Sequence, residues 1–247
     1  MKNTSLIIGS SLIAVGATAS MALADVNQPQ EIINRPRTTP GGQITVGGDF
    51  GILIAPDPIG TSMGLVGGGL YGVNDKLEVG ASYGFSLKDF EAKGDIGVTA
   101  AYGILDGNLS VAADVGFGYS LLAEGLEPLT LGAEVQFKVN DKLAVYSPGH
   151  QINVALEGDP KPITLGLPVG VGYQVNPQIF AHIDTNLASI SIADSETAVF
   201  GADFIPLTVG AFFSPSNTMD FGGSVGWFDL KESSDFIFIN LNARLHM

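Results

Sequence analysis

Residues 77–87, with the sequence LEVGASYGFSL, decide the fold class of this chain. Each odd-numbered position from Leu77 to Leu87 is apolar, and each even-numbered position is small or polar. A period of two is typical of a β-strand with two different faces, whereas the apolar residues of a helix recur about every 3.6 residues. The stretch therefore predicts a long strand with one apolar face.

The same alternation recurs along much of the chain. It runs through residues 96–104, 109–119, 129–139 and 163–175, and no helical spacing interrupts these segments. The predicted strands have roughly 11 to 13 residues, whereas strands in soluble sheets commonly have about 5 or 6 and a strand that crosses a membrane needs about 9 to 11. Their length therefore favours strands that span a membrane.

The connections between the predicted strands alternate in character. Five short turns, at 74–76, 106–108, 140–142, 176–178 and 214–218, alternate with six longer and more charged loops. Eleven connections join twelve strands, and an even number of strands with both ends on the short-turn side is typical of a bacterial outer-membrane barrel. We therefore predict an all-β fold for residues 43–247, an antiparallel transmembrane β-barrel of about twelve strands with short periplasmic turns and longer extracellular loops.

Aromatic residues lie near both ends of the predicted strands, as in the girdles of membrane barrels. Tyr71 and Tyr102 precede short turns, and Phe117 and Trp227 lie toward the long loops. With this pattern the chain resembles the bacterial outer-membrane β-barrel proteins, the class that includes porins and small twelve-stranded barrels. The resemblance implies outer-membrane lipids and the assembly machinery of that membrane as partners. Such proteins usually end in an aromatic residue, whereas this chain ends in Met247.

A secreted β-sandwich or jelly roll is the alternative fold, because it would use the same alternation to build a dry core. Its outer face should be densely charged, but the second face of these strands is mostly Gly, Ser, Thr and Ala. The charged residues make up 15% of the chain, against about 25% in a typical globular protein, and the mean hydropathy is +0.31. The composition therefore favours apolar faces turned to lipid.

The composition also argues against several kinds of partner. The formal net charge of -14 opposes binding to nucleic acid, whose phosphates require basic partners. The chain has no Cys, so disulfides cannot stabilise it, and it has no EF-hand loop and no pair of histidines with metal-ligand spacing. We therefore expect no cofactor and no metal.

Residues 1–24 have the pattern of a secretory signal peptide. Lys2 supplies a basic start, residues 6–15 form a short apolar core, and residues 22–24, Ala-Leu-Ala, form a cleavage site. An N-terminal membrane anchor is the alternative, but the apolar stretch is shorter than the roughly 20 residues that span a bilayer. We expect export through this signal peptide to the bacterial outer membrane.

Residues 25–42, which we call the leader, precede the predicted barrel. They contain three prolines and show no periodicity, so they predict a periplasmic segment, for which a flexible tail is the simplest interpretation. The alternative is a plug inside the lumen, because Arg35 and Arg37 could meet interior acids.

Two features of the sequence could indicate catalysis. Residues 222–226 match the G-x-S-x-G pattern around Ser224, but that motif requires a turn from a strand into a helix, and here it lies within a predicted strand. His182, Asp184 and Asn186 share one face of a strand and could serve general-base chemistry. They face the lumen, whereas the catalytic groups of twelve-stranded outer-membrane phospholipases face lipid. We therefore expect a lumen-lining histidine and no enzyme.

The inward face of the predicted barrel carries more acids than bases. The positions opposite the apolar phase include eight carboxylates, against the two bases Lys138 and Arg244. Because rings of Asp and Glu favour cations, we predict an electrostatic filter in the lumen. The predicted filter residues are Asp49, Asp114, Glu134, Asp184 and Asp203. The alternative is that these acids hydrate a wet lumen or pair with the bases and with backbone donors.

Glycine is also abundant on the inward face, where small side chains leave room for a passage, although glycine there could serve sheet curvature instead. We therefore expect a narrow passive channel for small solutes or ions that prefers cations. The alternatives are a non-conducting structural or adhesion barrel with acidic surface loops, and an outer-membrane lipid-modifying enzyme.

Overall fold

The computed structural model describes residues 26, 28–57, 60–87, 94–121, 123–159, 161–192, 199–200, 205–230 and 233–247, with no account of the side chains at 199–200 and 233–234. The predicted signal peptide and the predicted filter residue Asp203 lie outside the described residues. Among the described residues, no helix is long and apolar enough to cross a membrane.

After a short 3₁₀ helix at Ile32–Asn34, the described chain consists of strands and their connections. The strands are β1 (Ile44–Ile54), β2 (Ser62–Asn74), β3 (Leu77–Ser86), β4 (Gly94–Leu105), β5 (Leu109–Ser120), β6 (Gly125–Leu126), β7 (Leu129–Lys138), β8 (Leu143–Ser147), β9 (Ile152–Val154), β10 (Ile163–Asn176), β11 (Ile179–Ile192), β12 (Val199–Phe200), β13 (Leu207–Ser216), β14 (Met219–Asp229) and β15 (Ser233–His246).

These strands form one closed antiparallel barrel. β15 pairs with β1 to close the ring, from Thr45 opposite His246 to Ile54 opposite Ile237. Three barrel strands are interrupted, because β6 and β7 both pair with β5, β8 and β9 both pair with β10, and β12 and β13 both pair with β11. Counting each interrupted pair as one strand gives twelve, which confirms the predicted barrel.

The outer face of the barrel is apolar and the inner face is polar. Val79 and Tyr83, from the stretch that decided the fold class, are exposed on the outer face, and so are large hydrophobic side chains on most other strands. Among the described residues, fifteen buried residues are polar or charged, against five that are apolar. A soluble sandwich would bury its apolar residues, so this inverted arrangement argues against that alternative and fits a barrel surrounded by lipid.

The interrupted strand β8–β9 contains a bulge between residues 147 and 150, where the apolar residues of the sequence switch from odd to even positions. Val135 of β7 pairs with Ser147, and Leu131, four residues earlier, pairs with Ile152, five residues later, so one strand has an extra residue. The extra residue moves the outward phase from odd to even positions. The intervening residue His150 has a positive φ of 62°, and its side chain turns into the lumen.

The glycine-rich inner face is less empty than the sequence suggests. A Cβ added to Gly172 would collide with the ring of Phe180, and one added to Gly226 would collide with the ring of Phe238. These glycines allow inward aromatic rings to lie flat on the neighbouring strand, so they serve packing more than they enlarge the passage. Gly51 is different, because a Cβ there would meet no atom within 4 Å.

Candidate functional site

The leader lies inside the mouth of the barrel at the short-turn end. Ile33 is completely buried and packs against Ala144 and Phe180 of the inner wall. The backbone N–H of Ile33 donates to Gln174 Oε1 at 3.2 Å, and Gln136 Nε2 donates to the Ile33 carbonyl at 2.8 Å. The leader is therefore not a flexible tail in this structure, because inward side chains provide both an apolar socket and hydrogen-bond partners for it. The contacts match the alternative in which it enters the lumen.

A buried group that we call the clasp fixes the leader to the closing strands. Arg35 binds Asp220 with both terminal nitrogens, at 2.5 and 2.9 Å. Ser214 Oγ donates to Asp220 at 2.6 Å, and His246 Nε2 lies 2.7 Å from the same carboxylate. Thr45 Oγ1 lies 3.2 Å from His246 Nδ1. Asp220 has no exposed surface, so the clasp ties the leader to β1, β13, β14 and β15 in a site shielded from solvent.

Further contacts join the leader to the opposite side of the mouth. Glu78 Oε2 accepts a hydrogen bond from the backbone N–H of Thr39 at 2.6 Å. Lys138, which the sequence places among the lumen bases, donates to Asn34 Oδ1 at 3.3 Å. Burial lowers the pKa of Arg37, while nearby carboxylates, the largest contribution coming from Glu134, oppose that shift. The leader thus brings two arginines to a lumen whose wall is acidic.

The structure brings two of the predicted filter residues together. Glu134 interacts electrostatically with Asp114, and also with Arg37 and Glu78. Asp114 pairs with the ring of His150 and accepts a hydrogen bond from the His150 backbone N–H at 2.9 Å. This cluster therefore already contains positive groups that offset part of its charge.

Asp184 points into the lumen, as its phase predicts, and it is fully engaged there. Tyr146 donates to one of its oxygens, and His182 Nδ1 lies 2.5 Å from the other. The other edge of the His182 ring lies over Gly210, next to Ser224. Among the described hydrogen bonds, none joins His182 to Ser224, although both side chains lie against Gly210.

Asp49 lies apart from these clusters, with Arg244 as its basic neighbour. Asp49 is 7% exposed, and Asn240 Nδ2 donates to it at 3.5 Å, a long hydrogen bond. Arg244 packs its guanidinium on the ring of Phe212, 4.9 Å from the ring centre, and attracts both Asp49 and Asp220. The four described filter residues therefore lie on four different strands of the inner wall, β1, β5, β7 and β11.

Sequence reasoning missed the residues that bind the acids. His150 lies at the bulge, where the alternation changes phase, so its inward direction could not be read from the period alone. Tyr146 precedes the bulge and follows the inward phase next to the outward Val145. His246 follows the inward phase of the last strand and lies one residue before the end, a signal that could have placed it beside Asp220.

Three solved structures share this architecture. The KdgM porin has a TM-score of 0.53 at 10% identity, and the NanC porin has a TM-score of 0.54 at 10% identity; each match covers 81% of this chain and 98% of the porin. The COG4313 outer membrane channel from Pseudomonas putida F1 has a TM-score of 0.51 at 16% identity, with 92% of this chain and 100% of that channel covered. This chain has the fold of an outer-membrane porin. No family model and no curated protein matches it.

Proposed function

We propose that this chain is a narrow passive channel of the bacterial outer membrane, which passes ions and small solutes and prefers cations. Two features support the proposal. The porin fold places an apolar belt against lipid, and the inner face carries the buried polar residues. The leader narrows the mouth by occupying part of it.

The observation that carries the proposal is a part of the inner wall that neither the leader nor a side chain covers. Gly51 of β1 and Gly64 of β2 pair directly with each other. A Cβ on Gly51 would meet no atom within 4 Å, and one on Gly64 would meet a single backbone oxygen at 3.6 Å. The inner wall is therefore uncovered at this level, toward the long loops, whereas nearer the short turns Thr39 and Pro40 of the leader lie against Gly72 of β2. The uncovered wall supports a passage beside the leader.

The balance of inward charges supports the preference for cations. The described inner wall carries seven carboxylates, namely Asp49, Glu78, Asp95, Asp114, Glu134, Asp184 and Asp220. Four basic side chains face them, namely Arg35, Arg37, Lys138 and Arg244. The excess of three acids leaves a negative lumen, in which low-dielectric walls strengthen the field on a passing ion.

The test is the current through planar bilayers that contain the purified protein. Under a KCl gradient we expect a reversal potential of cation-selective sign, which weakens at high salt because the screening length falls from about 10 Å at 0.1 M to about 3 Å at 1 M. Replacing Asp49, Asp114 and Glu134 together with their amides should reduce the preference, whereas Asp141→Asn in an exposed turn should not. Absence of any conductance would refute the channel, and a reversal potential near zero would refute the preference.

A further inference from the structure

The gap between β8 and β9 releases a short segment of the chain from strand pairing. Residues 148–151 lie in this gap, and Ala133 of β7 lies opposite it. The side chain of Gln151 closes the gap, because its Oε1 accepts the Ala133 N–H at 2.7 Å and its Nε2 donates to the Ala133 carbonyl at 2.7 Å. A side chain thus satisfies the backbone of β7, and the backbone of residues 148–150 can leave the sheet.

The released segment crosses the inward face of β7 and reaches β5. A Cβ added to Gly132 of β7 would collide with the backbone nitrogen of His150, and one added to Gly149 would collide with the carboxylate of Asp114 on β5. The His150 ring lies near Gly116 of β5, where an added Cβ would be 3.5 Å from its Cε1. The segment therefore narrows the lumen from one side and places a histidine there.

Several contacts hold His150 against Asp114. The φ of His150 is 62°, a left-handed conformation that is uncommon for a residue with a Cβ and that requires support from neighbouring groups. Its backbone N–H donates to Asp114 Oδ1 at 2.9 Å, and its ring nitrogen Nδ1 pairs with the same oxygen. Thr130 Oγ1 lies 3.3 Å from Nδ1. These contacts fix the ring beside a carboxylate of the predicted filter.

The imidazole of His150 is open to the lumen, whereas its partner is covered. The side chain of His150 is 23% exposed, against 5% for Asp114. The other two histidines of the chain also lie beside lumen aspartates, but their side chains are less exposed, 13% for His182 and 6% for His246. Histidine changes its charge between about pH 5 and 8, so a proton taken up from the lumen changes the charge of the His150–Asp114 pair.

The charged groups that face this histidine come from the neighbouring strands and from the leader. Asp114 of β5 and Glu134 of β7 act on the ring directly, and Glu134 also interacts with Glu78 of β3 and Arg37 of the leader. The bulge itself holds no other charged residue. With a neutral ring the group has three acids and one base, and with a protonated ring it has three acids and two bases. One proton therefore weakens the negative field at the narrowed part of the lumen.

We propose that His150 determines the ion selectivity of the channel through its protonation state. A neutral ring leaves Asp114 without a positive partner, and the lumen then prefers cations. A protonated ring compensates Asp114, and the preference falls. The inference rests on the proposed channel function, because it names the residue that regulates the filter and the direction in which pH acts.

The first measurement is the reversal potential under a KCl gradient in planar bilayers, at about pH 5.5 and about pH 8.5. The cation preference of the unmodified protein should be about twofold stronger at the higher pH, which is the effect of one unit charge about 8 Å from an ion in water. Asn is neutral and tolerates a left-handed backbone, so His150→Asn keeps the bulge and removes the titrating ring. This variant should prefer cations at both pH values and lose at least half of the pH dependence.

His182→Asn is the matched control, because it removes an inward histidine that lies beside an aspartate outside the bulge. This variant should keep most of the pH dependence. Carboxyl groups that titrate in the same range would keep their effect in His150→Asn, so the comparison separates them from the ring. Heat-dependent gel mobility shows that each barrel is folded.

The second measurement detects the proton without any current. NMR spectra of the detergent-solubilised protein with ¹³C-labelled histidine contain three ring signals, and the one missing from His150→Asn belongs to His150. We expect that signal to titrate between about pH 5.5 and 8.5.

The outcomes separate the role of His150 from the channel itself. A His150 signal that does not titrate, or a pH dependence of the reversal potential that His150→Asn retains in full, would overturn the role of His150 and leave the channel intact. Absence of current from every one of these proteins would reject the channel, and the selectivity role with it.

Discussion

Replacing Arg35 with alanine should loosen the leader from the mouth of the barrel. Both terminal nitrogens of Arg35 donate to Asp220, which has no exposed surface. Removing one partner of a buried ion pair costs about 3 to 5 kcal/mol, because the other charge stays buried. Ser214 and His246 still contact Asp220, so we expect the lower value, about 3 kcal/mol. Each 1.4 kcal/mol changes an equilibrium about tenfold, so the released fraction should rise about a hundredfold.

Thiol labelling measures that fraction, because the chain has no Cys and a single one can be introduced cleanly. Thr38 is 5% exposed, and its hydroxyl donates to the Asp75 carbonyl at 3.3 Å at the mouth. A Thr38→Cys variant should react slowly with a maleimide, and addition of Arg35→Ala should speed the reaction about a hundredfold if release precedes labelling. Lys142→Ala, at an exposed turn, is the matched control.

Two results would refute this account of the clasp. Equal labelling rates with and without Arg35→Ala would show that the ion pair does not hold the leader. A faster rate for Arg35→Ala with no acceleration for Asp220→Asn would show that Arg35 acts through some other contact. Heat-dependent gel mobility of every variant establishes that the barrel itself remains folded.

The remaining predictions concern the lipid face and the closing strand. Val135→Arg places a charge against lipid and should cost about 2 to 4 kcal/mol, whereas the inward Glu134→Gln should be tolerated; heat-dependent gel mobility compares the two, and equal damage would contradict the phase assignment. Deleting the last three residues should impair membrane insertion, because Met247 and Ile44 exchange backbone hydrogen bonds of 2.9 and 3.0 Å that close the barrel. Met247→Phe keeps those backbone hydrogen bonds, so this variant should insert normally. Heat-dependent gel mobility compares it with the truncated protein.

The barrel could be predicted because its signals are local. The alternation over residues 77–87 predicts a strand that the structure places at Leu77–Ser86, and its two faces fix which side chains meet lipid. Turn residues near 75 and 141 mark where strands reverse, and the direction of the strands then alternates by itself. Closure follows from the same physics, since an open edge in lipid would leave backbone groups unpaired.

The position of the leader could not be predicted in the same way. Arg35 and Asp220 are 185 residues apart in the sequence, and no periodicity connects them. The leader has no regular strand of its own, and its order comes from contacts with inward side chains of several distant strands. Its three prolines and lack of pattern are compatible with a flexible tail until those partners are known.

The charges in the lumen could likewise be predicted only in part from the sequence. The inward direction of Asp114 and Asp184 follows from the alternation, but His150, the partner of Asp114, lies at the bulge, where the phase changes. Counting acids by phase therefore overstates the free negative charge. Groups that neutralise it come from the bulge and from the leader, and both are invisible to a period of two.

The acidic residues on different sides of the lumen therefore have different roles. Asp220 holds the leader, while Asp114 and Asp184 are bound to residues of β8 and the bulge, so their charges are partly compensated within the wall. Asp49 makes a single long hydrogen bond, to Asn240, and lies two residues from the uncovered glycine Gly51. We therefore expect Asp49 to contribute most to the cation preference among the described filter residues.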